Sequence, residues 1–526
     1  MRRRFRFLAA LLFVAASGPA AAAQVPKDGV EHPELFAQRR AEFLKRLGSG
    51  VAIFHAKPVY NRNDDIDYPY RQDSDFYYLT GFEEPQAVAV LNADAGNGPT
   101  YMLFVQPRDP AQETWTGHRY GAEGARQVFK ADAAYVVDSL SVVLPRVVQG
   151  ASKVYYSSGG DLTFGDQLRG WAGARAPAPA AGELAEGELP GGAGFASPLP
   201  IVHEMRLIKS PEEIARLQRA IDITEAAQRA SMRAAAPGLH EYDLEALQYY
   251  LYRMGGSERY GFPSIVGSGP NSTTLHYEEN NRQIQKGEVV VMDIGAEYAM
   301  YSADVTRTVP VNGKFTPEQR AIYQIIYDAQ DEAMKLMRPG HTIGESSVRA
   351  AEVVTAGLVR LGILQGTVEE NLKSQAFSRF YMHGLSHWIG LDVHDAGDYY
   401  EPDGSPRQFK PGMILSNEPG IYIPAGMPGV DPKWYNIGVR LENDVLVTDG
   451  DAVDMTANIP RRIEDVEAEM AKAPLTIQTG QPDQTVLELT QKAPGAAAPG
   501  RGAGPSEAGR VPPLNQGKPM KAPAGQ

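Results

Sequence analysis

Between residues 206 and 465 one order of signals is written twice, which restricts the chain to folds with two matching halves. Ser210-Pro211-Glu212-Glu213 and Thr316-Pro317-Glu318-Gln319 are capping boxes with proline at the first helical position. Ile214, Leu217 and Ile221 follow at helical spacing in one half, and Ile322, Ile325, Ile326 and Ala329 in the other. Pro237-Gly238 and Pro339-Gly340 end these helices, and a second helix is predicted after each break, over 241–254 and 344–361. A buried strand then delivers an acid: Asp293 stands six residues after Gly287, and Glu418 six after Gly412. Asp304 and Glu442 are their mates on the strands that follow. Two αα-plus-hairpin units of this kind predict an α+β domain with four carboxylates on one central face.

Spacing also suggests a register. Pairing about a turn at Tyr298 and Ala299 would set Asp293 opposite Asp304, with Cβ atoms about 4.5–5.5 Å apart. Two like charges there cost on the order of 4 kcal/mol at an effective dielectric of about 20, so the pairing calls for a cation. Between the two halves lies Tyr381-Met-His-Gly-Leu-Ser-His-Trp-Ile-Gly-Leu-Asp-Val-His394, with three of the ten histidines. One imidazole and four carboxylates form a hard, oxygen-rich ligand set suited to two divalent ions with shared oxygens, whose charges balance. The reading is a two-metal hydrolase acting on peptides. His383-x-x-x-His387 is not a helical zinc pair, because Gly384 stands where that motif carries its glutamate base. Gly267-Ser-Gly269 lacks the Gly-Lys-Ser/Thr of a phosphate loop and reads as a turn.

Upstream, Val51–Phe54, Ala87–Leu91 and Tyr101–Val105 read as buried strands and 33–47 as a helix, predicting an α/β domain over 24–171. An Ala/Gly/Pro-rich linker is expected over 172–205, the catalytic domain over 206–465, and a low-complexity tail over 466–526. Arg2, Arg3, Arg4 and Arg6, a short apolar run to Ala16 and Ala21-Ala22-Ala23 predict a signal peptide over 1–23, hence export to the periplasm or beyond. That run is half the roughly 20 residues a membrane span needs, so no membrane association is expected after cleavage. Arg2-Arg3-Arg4-Phe5 loosely matches a twin-arginine pattern. The net charge of −13 argues against nucleic acid as a partner, and the absence of cysteine excludes disulfides, thiolate metal sites and a cysteine nucleophile.

Specific runs carry a resemblance. Ser264-Ile-Val-Gly-Ser-Gly, Leu275-His-Tyr, Asp293-Ile-Gly-Ala, Ser302-Ala-Asp-Val-Thr-Arg-Thr, His383 to His394, Asn417-Glu-Pro-Gly-Ile-Tyr and Ile437-Gly-Val-Arg-Leu-Glu-Asn-Asp resemble the Xaa-Pro aminopeptidases of the M24 pita-bread metallopeptidases. Tyr68-Pro-Tyr-Arg-Gln-Asp-Ser-Asp-Phe-Tyr-Tyr-Leu-Thr-Gly-Phe is similar to the creatinase-type N-terminal domain of the same family. The resemblance covers about 30 to 465. It implies a pita-bread catalytic domain preceded by an α/β domain, and release of the N-terminal residue from peptides with proline second, by attack of a hydroxide shared between two metals. It implies metal ligands Asp293, Asp304, His387, Glu418 and Glu442, with Asp304 and Glu442 bridging two divalent ions, manganese first among them. Glu418 would be the general base. His383 and His276 would steady the tetrahedral intermediate or pass a proton to the leaving nitrogen, and His394 would lie against the proline ring. Tyr422 and Arg440 fall where the family supports its ligands.

Two alternatives share the fold. A prolidase has the same ligands but acts on dipeptides, and the metal-free hydrolases and histone-binding modules have lost the acids that this chain keeps. Trp115 sits where the family's N-terminal domain lends an aromatic to a neighbouring protomer, implying a homo-oligomer, dimer or tetramer. The loop from Asp398 to Gln408 matches no motif that would supply a substrate-binding arginine.

Overall fold

Both faces of the N-terminal sheet are covered, which is why its strands read as unbroken apolar runs rather than alternating ones. A computed structural model of the chain describes residues 28–159, 163–172 and 195–472. The five strands run in the order Ala133–Val136, Tyr101–Val105, Val88–Asn92, Val51–His55, Val154–Ser157, parallel at both edges and antiparallel in the middle. Val51, Ile53, Val88 and Val90 face the helices Leu140–Gly150 and Phe164–Ala172, while Ala52, Phe54, Ala89 and Leu91 face Pro33–Leu47 and Ser74–Thr80. The second cluster does not stop at this layer. Phe36, Phe76 and Tyr77 share it with Leu217, Ile221 and Ile294 of the C-terminal part, and the two parts belong to one compact unit.

The C-terminal part repeats as expected. The paired helices are Pro211–Ala234 with Glu241–Gly255, and Pro317–Met334 with Ile343–Arg360. Ser210 and Thr316 each accept from the third helical amide while Glu213 and Gln319 reach back, closing both capping boxes. Each first helix also ties down the strand that carries its acid. Gln228 Nε2 donates to the carbonyls of Met292 (3.0 Å) and Val305 (2.8 Å), and Gln330 Nε2 donates to that of Asn417 (2.8 Å). Backbone carbonyls next to an interrupted ladder need such partners when buried.

The register of the first hairpin differs from the expected one. Asp293 pairs with Thr306, and Tyr298 with Tyr301, so the turn is Ala299-Met300, one residue later than spacing suggested. Both turn residues have positive φ (49° and 71°), the geometry of a two-residue hairpin turn, without the glycine or asparagine that announces it. Asp293 and Asp304 are therefore diagonal rather than opposite, still on one face because the slip is two residues. In the second half the ladders Ile414–Asn417 with Asn443–Leu446 and Gly420–Ile423 with Ile437–Arg440 keep one register, which sets Glu418 opposite Glu442.

The boundaries shift as well. Within the stretch expected as linker, Leu199–Leu207 is a helix with Val202 and Met205 buried. Ile463–Met470 is a helix that runs across the expected boundary at 465 into the expected tail; Glu467 pairs with Lys314 and Arg320, and Glu469 with Arg229. The predicted signal peptide, residues 173–194 of the linker and the tail beyond 472 lie outside the described residues. Among the described residues no helix is long and apolar enough to cross a membrane.

Candidate active site and metal centre

Three of the four acids sit where a strand is interrupted. Asp304 lies between Tyr301–Ser302 and Val305–Pro310, Glu418 between Ile414–Asn417 and Gly420–Ile423, and Glu442 between Ile437–Arg440 and Asn443–Leu446. Asp293 is the last but one residue of Val289–Ile294. A break frees the side chain from the in-out alternation of the strand, so each acid can turn to a common centre. His387 arrives from the side. Its segment runs along Ile414–Asn417: Ser416 N donates to the His387 carbonyl (2.9 Å), His387 N donates to Ser416 Oγ (3.0 Å), and Glu418 N donates to the Leu385 carbonyl (3.0 Å).

His387 Nε2 lies 3.2 Å from Glu418 Oε1, 3.3 Å from Asp304 Oδ2 and 3.9 Å from Glu442 Oε1. Its Nδ1 is 3.2 Å from the Trp388 carbonyl, a contact that would keep a proton on Nδ1 and leave Nε2 to a cation if one displaced its proton. Asp304, His387 and Glu442 each offer a ligand atom within 4.8 Å of the others. Asp293 Oδ1, Asp304 Oδ1 and Glu442 Oε1 are buried and have no hydrogen-bond partner in the protein. A buried acceptor left unpaired costs about 1–3 kcal/mol. Unpaired buried oxygens on one cavity wall, with one imidazole nitrogen among them, fit divalent cations and little else.

The titration behaviour has the same origin. Burial pushes Asp304 up to about 7, with repulsion from Asp293 adding to it. Glu442 is held well above the usual carboxylate range by burial and then by Asp304 and Glu418. Burial opposes charge on His387, yet Asp304 and Glu418 outweigh it and hold the imidazolium. Glu418, buried too, stays below its ordinary value because His387 is in contact with it. Protons thus stand in for the positive charge that metal would bring.

Arg440 is the fixed counter-charge. Its guanidinium is buried and donates to Asp293 Oδ2 (2.6 Å), Tyr422 OH (3.0 Å), Thr306 Oγ1 (3.1 Å) and the Leu275 carbonyl (3.3 Å). Tyr422 OH in turn meets His383 Nε2 at 2.8 Å, and His383 Nδ1 meets the Gly384 carbonyl at 2.8 Å. Arg440→Met is expected to lower both metal affinity and turnover by about 10–100-fold, as losses around metal ligands do. Metal titration and steady-state kinetics on the variant check this; unchanged values would mean that Asp293 is oriented by something else.

The four acids and His387 lie at the wall of a cavity of ≈ 370 Å³ that His276, His383 and His394 also line. Its apolar side is Phe262, Ile265, Leu275 and Val393. His394 has its ring 4.0 Å from that of His387, tilted by 35°, and also lines the cavity. Trp115 lies on the short helix Pro110–Thr116 and is 86% exposed. Three supporting residues escaped the sequence reading. Thr306 Oγ1 donates to Glu442 Oε2 (2.7 Å), Ser416 Oγ donates to Glu418 Oε1 (3.1 Å), and buried Asp444 accepts from the amide of Asp304 (3.2 Å). Asp444 was within reach of sequence reasoning, since it follows Glu442 at the two-residue spacing of one strand face.

The model of metallopeptidase family M24 matches residues 215–449, and that of the aminopeptidase P N-terminal domain matches 36–155. The Xaa-Pro aminopeptidase of Escherichia coli K12 is 39% identical over 442 residues, 83% of this chain and 98% of that protein. Among solved structures, an aminopeptidase of Pseudomonas aeruginosa is similar with a TM-score of 0.78 at 38% identity, covering 85% of this chain and 98% of that one. Aminopeptidase P from E. coli with the inhibitor Pro-Leu is similar with a TM-score of 0.76 at 38% identity, covering 83% and 98%.

Proposed function

The chain belongs to metallopeptidase family M24, and from that premise we propose that it is a metal-dependent aminopeptidase releasing the N-terminal residue from peptides with proline in second position. The observation that carries the reading is the convergence of Asp293, Asp304, His387, Glu418 and Glu442 on one cavity wall, with buried carboxylate oxygens unpaired. These five residues would hold two divalent ions, which would acidify a water and polarise the scissile carbonyl. Four carboxylates with a single imidazole favour manganese among the candidates.

The chain's own residues supply the rest. Glu418, fixed by Ser416, takes the proton from the attacking water. Arg440, Tyr422 and His383 form a relay that ends at the reaction face. Burial keeps His383 neutral against the pull of Glu418, so the pair Tyr422–His383 can steady the oxyanion or pass a proton to the leaving nitrogen. His276 stands on the same cavity wall to share that work, and His394 borders the wall where the proline ring packs against Phe262, Leu275 and Val393. The basic-then-apolar start of the chain supports export to the periplasm or beyond after removal of 1–23. The exposure of Trp115 supports a homo-oligomer, dimer or tetramer, in which one copy's ring reaches another's site.

Assays of the manganese-loaded protein on Xaa-Pro-Xaa, Xaa-Pro and Xaa-Ala-Xaa peptides test the function. The expected result is release from Xaa-Pro-Xaa with kcat/KM at least about 100-fold above Xaa-Ala-Xaa. A preference for the dipeptide would turn the assignment to a prolidase, and no release from any of the three would sink it.

A further inference from the structure

His394 and Val393, which line the cavity, are flanked by two aspartates that the chemistry above does not use. Asp392 and Asp395, neither of which lines the cavity, reach into a cluster of charges where the N-terminal part meets the catalytic part; Asp395 is buried, and the Asp392 side chain is 40% exposed. Arg206, 3% exposed on the helix Leu199–Leu207, is its centre. It donates to Asp395 Oδ1 (2.5 Å), Asp392 Oδ2 (2.8 Å) and Asp75 Oδ1 (2.7 Å). Lys209 donates to the other oxygen of Asp395 (2.9 Å), and both side chains are 1% exposed. From the N-terminal part, Ser74 Oγ donates to Asp392 Oδ1 (2.7 Å) and Arg71 donates to the Leu391 carbonyl (2.5 Å).

The turn is thus gripped on either side of His394. Asp395 N also donates to the Trp388 carbonyl (2.8 Å) and Asp392 N to Asp395 Oδ1 (3.3 Å), so the two aspartates and the turn form one closed piece. A Cβ on Gly390 would come within 2.2 Å of Asp395 Oδ2, which shows how tightly that piece is packed. Buried charges at this density are costly unless each is paired, and a paired network fixes geometry strongly. A plain surface loop would need none of it.

We propose that Arg206 is a positioning residue for substrate selection: through Asp392 and Asp395 it sets the Val393–His394 wall against which the residue after the scissile bond packs, with the N-terminal part as its fixed support. The inference rests on the exopeptidase reading above. It assigns the N-terminal part a direct share in choosing proline, separate from metal binding.

Arg206→Lys keeps the charge and loses the fork that spans three carboxylates. Ser74→Ala removes one hydrogen bond to Asp392 and leaves no charge unpaired. Wild type, Arg206→Lys, Ser74→Ala, His394→Ala and the double variant Arg206→Lys/His394→Ala are compared on Xaa-Pro-Xaa and Xaa-Ala-Xaa, with metal content measured on each. The expected result is wild-type metal content in Arg206→Lys and a kcat/KM for Xaa-Pro-Xaa lower by about 10–100-fold, with a KM rise and a smaller loss on Xaa-Ala-Xaa. Ser74→Ala should shift the same ratio in the same direction, and decides the matter if Arg206→Lys does not fold. In the His394→Ala background the effect of Arg206→Lys on that ratio should largely vanish. Equal losses on both peptides, a loss of metal, or additive effects in the double variant would overturn the proposal. Absence of Xaa-Pro-Xaa cleavage by the wild type would instead count against the function itself.

Discussion

Asn in place of Asp304 is expected to abolish peptide hydrolysis, by at least about a thousandfold, while leaving the metal-free protein no less stable than the parent at pH 8. The two effects have one cause. Asp304 sits among Asp293, Glu418 and Glu442, and burial with repulsion from Asp293 is what drives its pKa up to about 7. Without metal, the ionised Asp304 is a liability that asparagine of the same shape removes. With metal, the same charge would serve as a ligand, and an amide cannot replace it. Metal content, turnover and thermal denaturation with and without chelator would be measured on the parent and the variant. Retained turnover, or a clear loss of stability in the chelated variant, would contradict this account.

Chelation is expected to reverse the usual pH dependence of stability at this site. An acid that titrates near 7 when folded, against a usual 3.8, holds more protons folded than unfolded between those values. Its stabilising contribution is present at low pH and is lost as pH rises through about 7, and Glu442 acts in the same direction. Asp75 and Asp395, held low by Arg206 and, for Asp395, Lys209 despite their burial, act oppositely but equally in metal-free and metal-loaded protein. The difference in melting temperature between the two forms should therefore widen as pH rises from about 5 to about 8. At a hundred times Kd, one bound ion adds about 2.7 kcal/mol. A gap that stays constant or narrows over that range would show that the carboxylates are already ionised without metal.

How far the fold and the site could be read in advance depended on how local the signal was. Capping boxes are written within four residues, so the helix starts at Pro211 and Pro317 were legible, and the acids after Gly287 and Gly412 followed from counting. The hairpin turn was misplaced by one residue because Ala299 and Met300 carry positive φ with no glycine to mark it; tertiary packing, not turn chemistry, holds them there. The helix Ile463–Met470 crosses the expected boundary at 465 because its acids are held by Lys314, Arg320 and Arg229, partners about 150 to 240 positions away that no local pattern reveals. Gln228, Gln330 and Arg206 had no local signal at all. Their partners lie 64 to 189 positions away, and a lone glutamine or arginine on a helix is ordinarily solvated.

The apolar cluster that Phe36, Phe76 and Tyr77 share with Leu217, Ile221 and Ile294 has a consequence for admission of substrate. Parts joined through shared apolar packing, with an ion network beside it, are expected to move as one body, so the cavity that the acids line keeps its shape while a peptide is taken up and released.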